Sequence, residues 1–294
     1  MLLNNKITGK NDMKHYMGTY GIITTTHHRK INVSVCGSGQ EVILLLARKT
    51  SPFPILEMKA LTYYLQEKFI VVALDYPGSG YSDDYHTERT LDNITSEIHE
   101  VMLSLGYANY TVAAHAYAGL YNLYYANKYA DEVKAVIGID SFVAEQIDDD
   151  TNSEKSKFHR NMWLDYHKSH LLQWCVKKAA AYHLHRADRK IYTAEEIKTY
   201  SNLARRRLAE MTLLERYDCH KENFDSAHGL QIPINIPMLC ILSSYRNKKI
   251  HNWYDLHKKL SGNDSSKIVT LKGGKDLHLK QPERLAEEIK AFLL

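Results

Sequence analysis

Long apolar runs are scarce in this 294-residue sequence. The longest aliphatic stretch, VILLLA at Val42 to Ala47, is far short of the ~20 residues that cross a bilayer. No membrane span is therefore expected. The first residues, MLLNNKITGKNDMKHYMG, lack the apolar core of a secretory signal, which points to a cytoplasmic, soluble protein. Cysteine is equally sparse. Its four copies, Cys36, Cys175, Cys219 and Cys240, are widely separated and form no CxxC pair, so neither a disulfide framework nor a zinc ribbon is expected. Charge of one sign is missing too: 38 basic residues face 34 acidic ones, for a net charge of +4, too small an excess for phosphate-backbone binding. Nucleic acid is not an expected partner.

Histidine and tyrosine, by contrast, are plentiful, with 16 and 21 copies. His167 and His170 share a helix face and His183 and His185 do not. Neither pair carries a third ligand or an HExxH spacing, so no metal or other cofactor is expected. The tyrosine-rich run YNLYYANKY has no basic track beside it and reads as helix-packing surface, not a base-stacking platform.

Apolar residues make up 44% of the chain and charged ones 24%, enough for a sizeable core in one large domain or two small ones. Short β-rich runs alternate with helical stretches, the pattern of a mostly parallel sheet flanked by helices. YGIITTT and INVSV read as two antiparallel strands near the start. VILLLA, FIVVALD, YTVAA, KAVIGID, PMLCILS and KIVTL follow, continuously apolar as strands covered on both faces should be. From 142 to 236 no convincing strand occurs, only helix-periodic sequence such as AEEIKTYSNLARRRLAEMTLLERY. The expected organisation is a core of 1–141 and 237–294 with a helical cap at 142–236 over the carboxyl edge of the sheet. DDDTNSEKSK, at 148–157, reads as an exposed turn.

The stretch YTVAAHAYAGL, Tyr110 to Leu120, has the small-x-nucleophile-x-small layout of a nucleophile elbow. A methyl group, on Ala116, stands where the nucleophile should be. With VVALDYPGSGYSD before it and LKGGKDLHLKQPERLAEEIKAFL at the end, the chain resembles the α/β-hydrolase family from about Ile31 to Leu294. It is most similar to a bacterial branch reading SPxxxFKPL near the third strand and HYLH near the end. The resemblance implies an α/β-hydrolase fold and a catalytic serine, histidine and acid. It also implies backbone N–H groups that hold an oxyanion.

Set against that pattern, the chain departs at several positions. Ala116 occupies the nucleophile position, within Ala114, His115, Ala116, Tyr117, Ala118 and Gly119 where the family reads Gly-His-Ser-x-Gly-Gly. His115 and Tyr117, flanking it, point in different directions and are assigned to the ligand pocket. Lys275 stands at the histidine position, and His278 matches the second, non-catalytic histidine, an alternative base only if the loop slips. After PMLCILS no carboxylate follows, which leaves Asp140 as the candidate acid or as a cap on its strand. Asp75 reads as a residue that shapes a turn. Arg48, in the oxyanion loop where a glycine is common, would bring positive charge to the pocket mouth, with Lys49 and Lys275.

The resulting expectation is a hydrolase fold with a degenerate active site that binds a small molecule, plausibly an anionic one, and hydrolyses feebly. Three alternatives stay open. One is an active esterase or peptidase drawing its nucleophile from Ser141 or Ser79. Another is a lyase or cofactor-free oxygenase with Lys275 or His278 as base. The third is a protein partner bound through the cap.

Overall fold

The computed structural model describes residues 18–26, 28–85, 87–146, 169–185, 187, 191–209 and 219–294. The turn expected at 148–157 and His167 lie outside the described residues. Among them, no helix is long and apolar enough to cross a membrane.

Eight strands form a single sheet in the order β1-β2-β4-β3-β5-β6-β7-β8. β1 (Gly18–Thr24), β2 (Lys30–Cys36) and β4 (Phe69–Leu74) are joined antiparallel. β4, β3 (Glu41–Leu46), β5 (Tyr110–His115), β6 (Val133–Ile139), β7 (Met238–Ser243) and β8 (Lys267–Leu271) run parallel. The sequences of β3, EVILLL, and β7, MLCILS, show why: nearly every residue is buried, as in strands covered by helices on both faces. Each fully buried leucine, such as Leu44, contributes about 1.5–3 kcal/mol relative to exposure.

Both faces are covered. On one lie α2 (Leu91–Ser104), α3 (Ala118–Lys128) and α6 (His220–Ala227), packed over Leu44, Val72, Val112 and Val136. Thr90 caps α2, its hydroxyl accepting from the Asn93 amide at 3.2 Å. On the other face, α1 (Pro54–Leu65) and the terminal helix α10 (Pro282–Leu293) cover Ile43, Leu45, Ala113 and Ile241. Both begin with a proline in the first turn, where a missing N–H costs nothing.

Between β6 and β7 the described residues contain helices and no strand: a short turn at Ala144–Gln146, α4 (His170–His185), α5 (Ala194–Ala209) and α6. α4 and α5 pack on each other and reach α1 and the loops after β3 and β4. Lys59 Nζ lies 2.6 Å from Glu196 Oε1, and Arg207 donates to the carbonyls of Lys49 and Gly78. The inserted helices therefore lie over the carboxyl ends of the central strands. After β7 come α7 (Ser244–Lys249) and α8 (Trp253–Lys258), and after β8 the short α9 (Leu277–Lys280).

Candidate active site

β5 is at the centre of the sheet, and its continuation into α3 turns through Ala116, whose φ is +52°. A non-glycine residue rarely adopts this left-handed backbone, so surrounding structure must impose it. The Ala116 amide donates to the Ile139 carbonyl at 3.2 Å, and its own carbonyl accepts from the amides of Gly119 and Phe142 at 2.9 and 2.8 Å. Gly119 permits the crossing, since a Cβ there would stand 2.6 Å from Ser141 Cβ. The backbone thus builds a complete strand-turn-helix elbow and presents a methyl at its apex. Methyl carbon has no lone pair, so no acyl intermediate can form there.

The flanking side chains diverge. His115 is buried beneath the turn, its Nε2 3.0 Å from the Lys275 carbonyl and its ring 4.0 Å from that of His278. Tyr117 points the other way, stacked on His220 of α6 at 5.3 Å and edge-on to Phe224, with Lys49 Nζ 5.0 Å from its ring centre. Burial keeps His115 neutral, its pKa well below the usual imidazole value, with His278 adding to the effect.

The loop after β8 presents its residues in a different way from the sequence reading. Lys275 is exposed and enters the site through its main chain, because the carbonyl is what His115 engages. The neighbouring Asp276 is the residue that turns inward, with Oδ2 3.9 Å from His183 Nδ1 of α4. His278 is wholly buried, and its Nε2 lies 3.4 Å from Glu57 Oε1.

Asp140 lies outside this cluster. Also left-handed, at φ +47°, it accepts from the Ser243 amide at 2.9 Å, the Ser243 hydroxyl at 2.8 Å and Arg246 Nε at 2.9 Å. Its carboxylate is bound to the end of β7 and the start of α7.

Arg48 likewise departs from the pocket-mouth role. Its Nε lies 3.0 Å from Glu57 Oε1, and its Nη2 is 3.4 Å from His183 Nε2. Burial opposes the guanidinium charge, but Glu57 outweighs it and keeps Arg48 protonated. Burial also works against the Glu57 carboxylate, yet Arg48 and His278 hold its pKa well below the usual carboxylate range. Tyr200 of α5 donates to Glu57 Oε2 at 2.9 Å. Glu57, Tyr200, His183 and Asp276 were not anticipated from sequence. A possible signal for the first was a glutamate and a lysine, Glu57 and Lys59, inside an otherwise apolar helical segment, ILEMKAL.

The alternative serines are both tied down. Ser79 Oγ donates to the Tyr76 carbonyl at 2.7 Å, and Ser141 is buried against Gly138 and Gly119.

With the elbow, the sheet order and the β8 loop in place, comparison with known proteins is decisive for the family. The model of the α/β hydrolase fold matches residues 56–214. The chain belongs to the α/β-hydrolase family. Among solved structures, ALR0039 from Nostoc sp PCC 7120 superposes with a TM-score of 0.72 at 18% identity, over 94% of this chain and 98% of the other. Cfl2 from Burkholderia cenocepacia gives 0.68 at 15% identity, over 97% and 99%. In sequence, YbdG of Bacillus subtilis (strain 168) is 22% identical over 285 residues, covering 90% of this chain and 83% of that protein.

Proposed function

We propose that this α/β-hydrolase-fold protein has a degenerate active site: it binds a small molecule and hydrolyses esters feebly or not at all. The carrying observation is Ala116, which occupies the left-handed apex of a complete elbow with no group able to attack a carbonyl. Two further features support the reading. Lys275 meets the site through its carbonyl, and Asp140 is engaged by Ser243 and Arg246. The pocket's ligand contacts are assigned to Tyr117, with Lys49 beside it. An anionic ligand would meet Lys49 beside Tyr117, whereas Arg48 is paired with Glu57 and the Lys275 side chain faces outward.

The test is hydrolysis of a short-chain p-nitrophenyl ester by the parent, Ala116→Ser and Ala116→Ser/Lys275→His. Loss of a triad member typically leaves a residual ~10³- to 10⁴-fold rate over water when oxyanion donors survive. The expected result is a parent at background and at most a feeble gain in either variant, since the side chain at 275 faces outward. A parent that turns over at an enzyme-like rate refutes the proposal and directs attention to another nucleophile, which a serine-directed covalent probe would locate.

A further inference from the structure

Glu57, His115 and His278 come from α1, the end of β5 and the start of α9, and their ligand-type atoms all lie within 4.8 Å of one another. Each side chain is 2% exposed or less. A hydrogen bond fixes the tautomer of His115. A carbonyl can only accept, so His115 Nε2, facing the Lys275 carbonyl, carries a hydrogen and leaves Nδ1 with its lone pair. His278 Nε2 lies 3.4 Å from Glu57 Oε1 without forming a hydrogen bond, so both of its ring nitrogens are unpartnered. Both Nδ1 atoms are buried without a hydrogen-bond partner. A buried acceptor left unsatisfied is costly. Two of them beside a buried carboxylate form a Lewis-basic pocket.

We propose that Glu57, His115 and His278 form a buried binding site for one divalent transition-metal ion of the zinc type. Two imidazole nitrogens and one carboxylate oxygen suit Zn²⁺, Co²⁺ or Ni²⁺. They do not suit Ca²⁺, which takes about 6–8 oxygens. Ligand bonds of about 2.1 Å in tetrahedral geometry place ligand atoms about 3.4 Å apart, so the widest separation has up to about 1.4 Å to close. The ion bridges the gap between Glu57 and His278 and takes the His115 Nδ1 lone pair, so it fastens three chain segments remote in sequence. Full burial makes it structural, loaded as the chain folds.

Arg48 is the competitor, its Nε 3.0 Å from the same Glu57 oxygen. When displaced it has His183 Nε2 at 3.4 Å and the nearby charge of Asp276 to turn to. Removing its charge should therefore tighten metal binding.

The full chain, refolded with Co²⁺ and passed through gel filtration, should retain one ion per chain and show visible absorption bands of nitrogen-ligated cobalt. The same refolding with Zn²⁺ should raise the unfolding temperature. Even losing a residue that merely holds a ligand in place costs about 10- to 100-fold in affinity, so His115→Gln or His278→Gln should each cost at least about 100-fold. Arg48→Met should bind more tightly than the parent. A parent that retains no ion, or that retains it equally in both histidine variants, overturns the proposal; in the second case surface histidines hold the metal. Should either variant fail to refold, the parent's cobalt spectrum decides alone, and absence of nitrogen-ligated bands is the overturning result. None of these readouts depends on ester hydrolysis.

Discussion

Arg48 Nε lies 3.0 Å from Glu57 Oε1, fastening the loop after β3 to the first helix through an acid that is fully buried and a base that is partly exposed. Taking away one partner of a buried pair leaves an uncompensated charge, at a cost of about 3–5 kcal/mol. Glu57→Gln removes the acid and weakens the acceptor for Tyr200 as well. The variant is expected to lose about 3 kcal/mol in urea unfolding, the low end because Arg48 can reach solvent. A loss below about 1 kcal/mol would mean that the pair is a surface contact in energetic terms.

Strain at Ala116 supplies the second prediction. Glycine enters the left-handed region freely, whereas alanine there costs roughly 1 kcal/mol. Ala116→Gly should therefore stabilise the fold by up to about 1 kcal/mol, against the usual cost of introducing glycine. Ala116→Ser should leave stability close to that of the parent, since it keeps the Cβ. Thermal unfolding of the three proteins side by side measures this, and a destabilised glycine variant would show that the turn holds no strain.

Asp75 gives a prediction in pH. Burial raises its carboxyl pKa from 3.8 to about 7, against the opposing hydrogen bonds from Asn32, Ile55 and Tyr81. The folded state thus binds this proton more tightly than the unfolded one. Its contribution to stability is complete below pH 3.8 and is lost as pH rises through about 7. Asp75→Asn has no such slope, so the parent's stability relative to the variant should fall from about pH 4 to 8. Urea titrations at about pH 4, 6 and 8 measure it; a difference independent of pH would show that the three donors keep the group ionised throughout.

The sheet was legible because burial on both faces leaves strands such as FIVVAL and MLCILS continuously apolar, a pattern few other environments demand. The elbow was legible because its packing requires small residues at fixed intervals, and Ala114, Ala118 and Gly119 satisfy that whatever stands at 116. The polar cluster was not. Glu57 looks like an ordinary helix charge until α1 is known to be covered on nearly all sides, and its partners Arg48, Tyr200 and His278 are scattered along the chain. On the β8 loop the ambiguity is smaller: whether Lys275 or Asp276 faces inward depends on the turn's dihedral angles, and the structure turns Asp276 in and Lys275 out. Histidine spacing gives no sign of the Glu57, His115 and His278 cluster, since residues assembled from α1, β5 and α9 leave no local interval to read.

The turn at Ala116 is held through main-chain hydrogen bonds to Ile139, Gly119 and Phe142, none of which involves the side chain at 116. Whatever residue is encoded there inherits the same posture. Alanine and serine codons differ by a single base, so a gene for this chain stands one point mutation from placing a hydroxyl at the apex. The shape is already inherited, and the hydroxyl lies one base change away.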